Sequence, residues 1–194
     1  MTSFFAVLTL VTIAAVTPGP NNFIVMSAAA RGGVAAALPA MTGVIGGSIA
    51  LLVLIWAGAG TLFEIIPETQ SMLRIAGGTY LVWLGFCLIR AANRPAQDST
   101  DLALPETVWG VASFQLFNPK SWVLVITAVS AAGETLASMV SLMLIFVVVM
   151  GLCLTIWGIA GKLISNWLLD ANSKRRFDTL MGLLLMGSAA MLLP

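Results

Sequence analysis

The chain alternates long apolar runs with short polar breaks, and the runs have the length of membrane spans. A helix rises about 1.5 Å per residue, so about 20 apolar residues cross a hydrocarbon core. Six spans are predicted on that measure, over 4–29, 38–63, 72–90, 108–131, 136–163 and 177–193. Two are interrupted: the first at Thr17-Pro18-Gly19-Pro20-Asn21-Asn22, the fourth at Asn118-Pro119-Lys120. The longest polar stretch, 91–106, falls near the middle and reads as a linker. The predicted organisation is a three-helix unit over 1–92, a cytoplasmic linker over 93–106 and a second three-helix unit over 107–194.

Composition fixes the surroundings. Of 194 residues, 59% are hydrophobic and 9% are charged, against about 45–50% and about 25% in a soluble domain. Mean hydropathy is +1.02. Too few polar side chains are present to cover a soluble globule, which excludes a soluble enzyme, a nucleic-acid binder and a disordered chain. A net charge of +1 is too balanced for an electrostatic partner such as DNA, and histidine is absent. Cys87 and Cys153 lie in separate apolar runs with no C-x-x-C, so they read as small hydrophobes. Met1-Thr2-Ser3 offers no basic flank for a cleaved signal peptide.

Lys and Arg set the expected orientation. The loops after spans one, three and five hold Arg31, Arg90, Arg94, Lys162, Lys174, Arg175 and Arg176, seven of the nine basic residues. The opposite face has Arg74, with Glu64, Glu68 and Glu134. The positive-inside rule places the basic loops in the cytoplasm and both termini outside.

The two halves carry a repeat. Ile55-Trp56-Ala57-Gly58-Ala59-Gly60-Thr61-Leu62 lies over Ile156-Trp157-Gly158-Ile159-Ala160-Gly161-Lys162-Leu163 at an offset of 101, and Pro20 lies over Pro119 at 99. Three spans per half is an odd number, so the second half enters with the opposite orientation. The expected fold is all-α and integral to the membrane: six transmembrane helices as two inverted three-helix repeats, with helices one and four broken. Matching breaks in inverted halves point to a transport site. Proline removes an N–H and clashes with the preceding turn, and the freed backbone groups must then face protein or a wet cavity.

The chemistry gathers at those breaks. Thr17-Pro18-Gly19-Pro20-Asn21-Asn22 begins about 20 Å into its span. A helix starting after Pro20 aims its N–H groups and positive dipole end into the cavity, which suits a carboxylate. Carbonyls around Ala15 and Val16 suit an ammonium group, and Asn21 and Asn22 offer both donors and acceptors. Lys120 lies about 18 Å from the cytoplasmic edge, where an ammonium usually faces a cavity. Gln115 and Ser121 share its span. Against these stand simpler readings: a proline kink with no ligand, and a Lys120 that snorkels to the interface. Gly43-x-x-x-Gly47, Gly77-Gly78 and Gly85 read as close-packing positions. Trp56, Trp83, Trp109, Trp157 and Trp167 fit an interfacial aromatic belt. No nucleophile–base pair, carboxylate dyad, metal cluster or phosphate loop is legible, so no enzyme, cofactor or metal site is predicted.

At these residues the chain resembles the LysE/RhtB family of amino-acid exporters. Thr17-Pro18-Gly19-Pro20-Asn21-Asn22 is similar to that family's P-G-P-N signature, followed by Gly32-Gly33 and Gly43-x-x-Gly46. Gly77-Gly78-Thr79-Tyr80-Leu81-Val82-Trp83-Leu84-Gly85 resembles its third-span signature, and Phe117-Asn118-Pro119-Lys120 its N-P-K. Within the family the chain looks nearest the cysteine/O-acetylserine exporter type. The resemblance implies efflux of small neutral amino acids or derivatives across the bacterial inner membrane, coupled to proton antiport. Its signature positions carry over to Pro18, Pro20, Asn21, Asn118, Pro119 and Lys120. Some members have an acidic residue within the membrane in the first half. None occurs between Met1 and Phe63 here, which argues against a cationic substrate.

The expected site is therefore Thr17, Pro18, Gly19, Pro20, Asn21, Asn22, Gln115, Asn118, Pro119 and Lys120, holding a zwitterionic amino acid between two broken helices. Lys120, Glu134 and Asp178 are the candidate proton carriers. The expected partners are this substrate, protons, lipid and further copies of the chain. The rival classes are a metal or small-ion exporter and a non-transporting membrane assembly subunit.

Overall fold

The computed structural model describes residues 2–58, 65, 68–93, 107–133 and 135–190, and among them all regular structure is helical. In chain order come α1 (Thr2–Val16), α2 (Pro20–Ala36), α3 (Leu38–Trp56), α4 (Glu68–Ala92), α5 (Val108–Phe117), α6 (Pro119–Ala132), α7 (Leu136–Ile164), a 3-10 turn (Trp167–Leu169) and α8 (Ala171–Ala190). Most of the linker, Glu64 and Glu134 lie outside the described residues, as does the end of the first copy of the I-W-x-x-A-G-x-L repeat.

Local chemistry explains where the helices start and stop. Gly19 is fully extended at φ −170°, ψ 178°, and Pro20 opens α2 at a position where its missing N–H costs nothing. The pair α1–α2 is bent by 51°. Gly33 takes φ 80°, a conformation open to glycine, and turns the chain inside the stretch that runs on to Ala36. The apolar pattern ends the first span near residue 29, whereas helix continues past it until this glycine. Thr107, Asn118 and Thr135 cap α5, α6 and α7, each accepting from a first-turn backbone N–H.

Three described helices are long and apolar enough to cross a membrane: Leu38–Trp56, Arg74–Ala92 and Leu136–Ile164. A fourth crossing results when the bent pair counts as one span. Predicted span four meets the shorter helices α5 and α6, and predicted span six meets α8, whose first turns carry Lys174, Arg175, Arg176 and Asp178. Leu144, Val148, Leu152 and Ile156 recur every four residues along α7 and are 55–65% exposed. In water that stripe would be an aggregation surface; against acyl chains it is the proper outer face.

Small residues bring the helices together around the breaks. A Cβ at Gly47 of α3 would lie 2.8 Å from the Ala112 carbonyl oxygen of α5. One at Gly77 of α4 would lie 2.8 Å from the Phe117 carbonyl oxygen, so α4 packs directly on the second break. Where α4 crosses α8, a Cβ at Gly85 would lie 2.6 Å from the Gly182 carbonyl oxygen, and one at Gly182 would lie 2.7 Å from that of Gly85. Such contacts admit hydrogen only, as in close membrane helix crossings. Val11, Val25, Val44 and Phe146, from α1, α2, α3 and α7, are fully buried in the shared core.

Candidate functional site

The two chain breaks meet. At the first, α1 ends at Val16 and α2 starts at Pro20; at the second, α5 ends at Phe117 and α6 starts at Pro119. Each break leaves one helix without its last carbonyl partners and the next without its first N–H partners. Side chains answer most of that demand. Asn22 turns back over the end of α1 and donates from one Nδ2 to the Ala15 and Thr17 carbonyls, both at 3.0 Å. The Thr17 hydroxyl donates to the Ile13 carbonyl at 2.6 Å. At the second break the Asn118 Oδ1 accepts from the Lys120 backbone N–H at 3.1 Å.

Lys120 joins the two. Its Nζ donates to the Thr17 carbonyl at 2.9 Å, across 103 residues of sequence. The sequence offered the carbonyls around Ala15 and Val16 to an ammonium group and allowed Lys120 to pair with broken-helix carbonyls; here Lys120 takes the neighbouring Thr17 carbonyl, and that of Ala15 is taken by Asn22.

A second polar link runs deeper. Asn21 and Gln115 exchange amide hydrogen bonds: Gln115 Nε2 donates to Asn21 Oδ1 at 3.0 Å, and Asn21 Nδ2 donates to Gln115 Oε1 at 3.3 Å. Asn118 Nδ2 also reaches Asn21 Oδ1, at 3.4 Å, and the Ser121 hydroxyl donates to Gln115 Oε1. Gln115 is fully buried, and Asn118, Asn22 and Ser121 are nearly so. No buried side-chain nitrogen or oxygen among the described residues lacks a partner. A buried amide left unpaired costs about 1–3 kcal/mol, so this network holds the breaks in register.

Between the breaks lies a cavity of about 30 Å³, with Pro20, Asn21, Asn22, Asn118 and Lys120 in its wall. That is room for about two waters and too little for an amino acid. Ser48 of α3 and Phe146 and Met150 of α7 also line the cavity. Sequence reasoning missed these three, because they sit mid-helix in unbroken apolar spans. The one available hint is Ser48, a hydroxyl directly after Gly47 on the close-packing face.

The other expected residues fall into place as follows. Thr17 and Pro18 are exposed, and Pro20 and Pro119 are buried. Asp178 is away from the breaks, in an i,i+4 ion pair with Lys174 at 2.7 Å near the start of α8. Glu134 lies outside the described residues. Cys87 and Cys153 are free thiols. Among the described residues no three His, Cys, Asp or Glu side chains are grouped to hold a metal ion.

The arrangement offers helix ends, amides and one ammonium around a small polar space, a set suited to a molecule carrying both a carboxylate and an amino group. The chain is similar to the cysteine/O-acetylserine efflux protein of Salmonella typhimurium (strain LT2), 32% identical over 128 residues that make up 66% of this chain and 63% of that one. The protein of the same name from Escherichia coli (strain K12) is 30% identical over the same shares. The match thus spans less than two thirds of the length of these curated relatives. No solved structure matches. Residues 12–194 match the model of the LysE type translocators, and the chain belongs to that family.

Proposed function

We propose that this translocator exports small neutral amino acids or their derivatives, of the cysteine, O-acetylserine, homoserine or threonine type, by proton antiport across the bacterial inner membrane. The observation that carries the reading is the meeting of two broken helices, with Lys120 on the Thr17 carbonyl and Asn21 paired to Gln115. The names of the relatives support the substrate class.

In this mechanism the substrate carboxylate binds the first-turn amides of α2 at Asn21–Asn22 and draws the Lys120 ammonium away from Thr17. Its amino group takes the carbonyls this exposes, together with the Asn118 side chain. Thr17, Pro18, Gly19, Pro20, Pro119 and Gln115 shape and join the two breaks. Six crossings arranged as two inverted halves, 1–92 and 107–194, rock about this point and open it to each side in turn. The similar breaks at Pro20 and Pro119 and the mutual contact of Gly85 with Gly182 support that arrangement. The basic loops and the linker 93–106 face the cytoplasm and the termini face outward. Lys120, Glu134 and Asp178 are the candidate proton carriers; of the two that are described, Lys120 lines the cavity and Asp178 does not. Copies of the chain assemble side by side in the bilayer.

The test is efflux from cells preloaded with labelled amino acid. Lys120→Ala and Asn21→Ala chains, made at normal levels, lose export on this reading; full-rate export by both overturns the site.

A further inference from the structure

The small cavity at the breaks shares Ala14, Pro20, Leu124 and Lys120 with a larger space of about 280 Å³, which is open on the side where Thr17, Pro18, Val123 and Thr127 are exposed. That is just under the range of about 300–1,000 Å³ that takes drug-sized ligands. Lys120 stands where the two join. We infer that this larger chamber receives the substrate's side chain, and that it selects neutral amino acids whose side chains end in an apolar group: alkyl, thioether or acetyl ester. The inference rests on the export reading above and narrows it.

The walls carry the argument. Leu10, Leu81, Val123 and Leu124 supply an apolar surface from α1, α4 and α6. Three lining residues carry hydroxyls, and each hydroxyl donates to its own helix: Thr17 to Ile13 at 2.6 Å, Thr127 to Val123 at 2.8 Å and Ser188 to Leu184 at 2.8 Å. Their donor hydrogens are used, and the threonines leave methyl groups. Among the described residues the Lys120 ammonium is the one charged group in this wall, at the junction with the smaller cavity. A carboxylate drawn to that ammonium places the rest of the molecule at the chamber's mouth. Among the described residues of the wall, a hydroxyl or amide entering further meets no side-chain donor besides Lys120, and as acceptors only the oxygens of hydroxyls already bonded to carbonyls.

The magnitudes follow from transfer energies. Each methylene moved from water into such a wall is worth about 0.8 kcal/mol, which is about fourfold in affinity. Replacing a terminal methyl by an isosteric hydroxyl in an apolar pocket costs about 10- to 100-fold.

The test uses the full chain in liposomes carrying labelled alanine, with unlabelled competitors. Potency is expected to rise about fourfold at each step from alanine through 2-aminobutyrate to norvaline. Norvaline is expected to beat its hydroxyl isostere homoserine at least tenfold. Thr127→Leu, which fills the chamber, is expected to lower the norvaline-to-alanine potency ratio about tenfold. A flat series, or homoserine equal to norvaline, while alanine is still transported overturns this inference alone and leaves the export reading standing. That result is also the one expected if an acyl chain of lipid fills the chamber. Transport of no amino acid overturns both. The competitor series on the unaltered chain decides the matter even where Thr127→Leu fails to fold.

Discussion

The Lys120 ammonium lies 2.9 Å from the Thr17 carbonyl oxygen, so a side chain from the second broken helix closes the cut end of the first. A charge-assisted hydrogen bond of this kind is worth about 1.5–3 kcal/mol. Lys120→Met keeps the length of the side chain and removes its charge. Export by this variant is expected to fall about 10- to 100-fold at unchanged membrane abundance, measured as initial efflux from preloaded cells. Lys120→Arg keeps the charge but not the point-like ammonium, and partial export is expected from it.

Asn21 and Asn22 are neighbours with different duties. Asn22 satisfies two carbonyls of its own half, and Asn21 reaches across to Gln115 and Asn118. Asn22→Leu takes the side-chain donor from the buried Ala15 carbonyl and leaves the Thr17 carbonyl to Lys120 alone. A loss of about 1–3 kcal/mol is expected, seen as a lower unfolding midpoint in detergent. Asn21→Ala is expected to act on transport first, with a smaller change in that midpoint. Equal midpoints for Asn22→Leu and the parent chain would show that the cap is dispensable.

The crossing of α4 with α8 is set by two glycines whose added Cβ atoms would strike backbone oxygen. Neither backbone can rotate away as a side chain would. Gly182→Val is expected to separate the helices and cost about 1–3 kcal/mol or more. Gly187→Val, on the same helix with nothing within 4 Å of its Cβ position, is the control and is expected to be close to neutral.

Asp170 caps α8 outside the apolar spans. The Ser173 hydroxyl at 2.8 Å, then the Ser173 backbone N–H at 2.9 Å, hold its carboxyl below the usual carboxylate value, with Arg176 adding to this. A depressed folded value means that the cap's contribution is complete above the unfolded value of about 3.9 and is lost as pH falls through the folded one. Asp170→Ala is expected to lower the melting temperature at pH 7. The gap between variant and parent should narrow as the buffer is taken further and further below the unfolded value. A gap that stays constant across that range would exclude the carboxylate as its source.

Both breaks were legible in the sequence because proline and glycine act locally: Gly19-Pro20 and Asn118-Pro119 stop helices whatever surrounds them. Lys120 was legible because a charge deep in an apolar run requires a partner. The long apolar runs of α3, α4 and α7 were legible as spans from length alone. What the sequence did not separate were Asn21 and Asn22, since amides one residue apart look alike until a helix turns them in different directions. Gln115 was a weak suggestion, and its burial depends on Gly47 opposite, a relation between distant helices that no spacing encodes. Ser48, Phe146 and Met150 were hidden for the same reason. Helix runs past residue 29, where the apolar pattern of the first span ends, to Gly33, one of the two glycines that the family resemblance already marked.

The amide exchange between Asn21 and Gln115 has a consequence for idle turnover. Each amide offers the other one donor and one acceptor, the two functions a zwitterion carries at its opposite ends. Parting the helices around an empty site strands both amides at once. On the export reading, cargo that brings Lys120 and Asn118 to its own charged ends offsets that loss, so the pair resists opening when vacant and a leak stays shut with no door of its own.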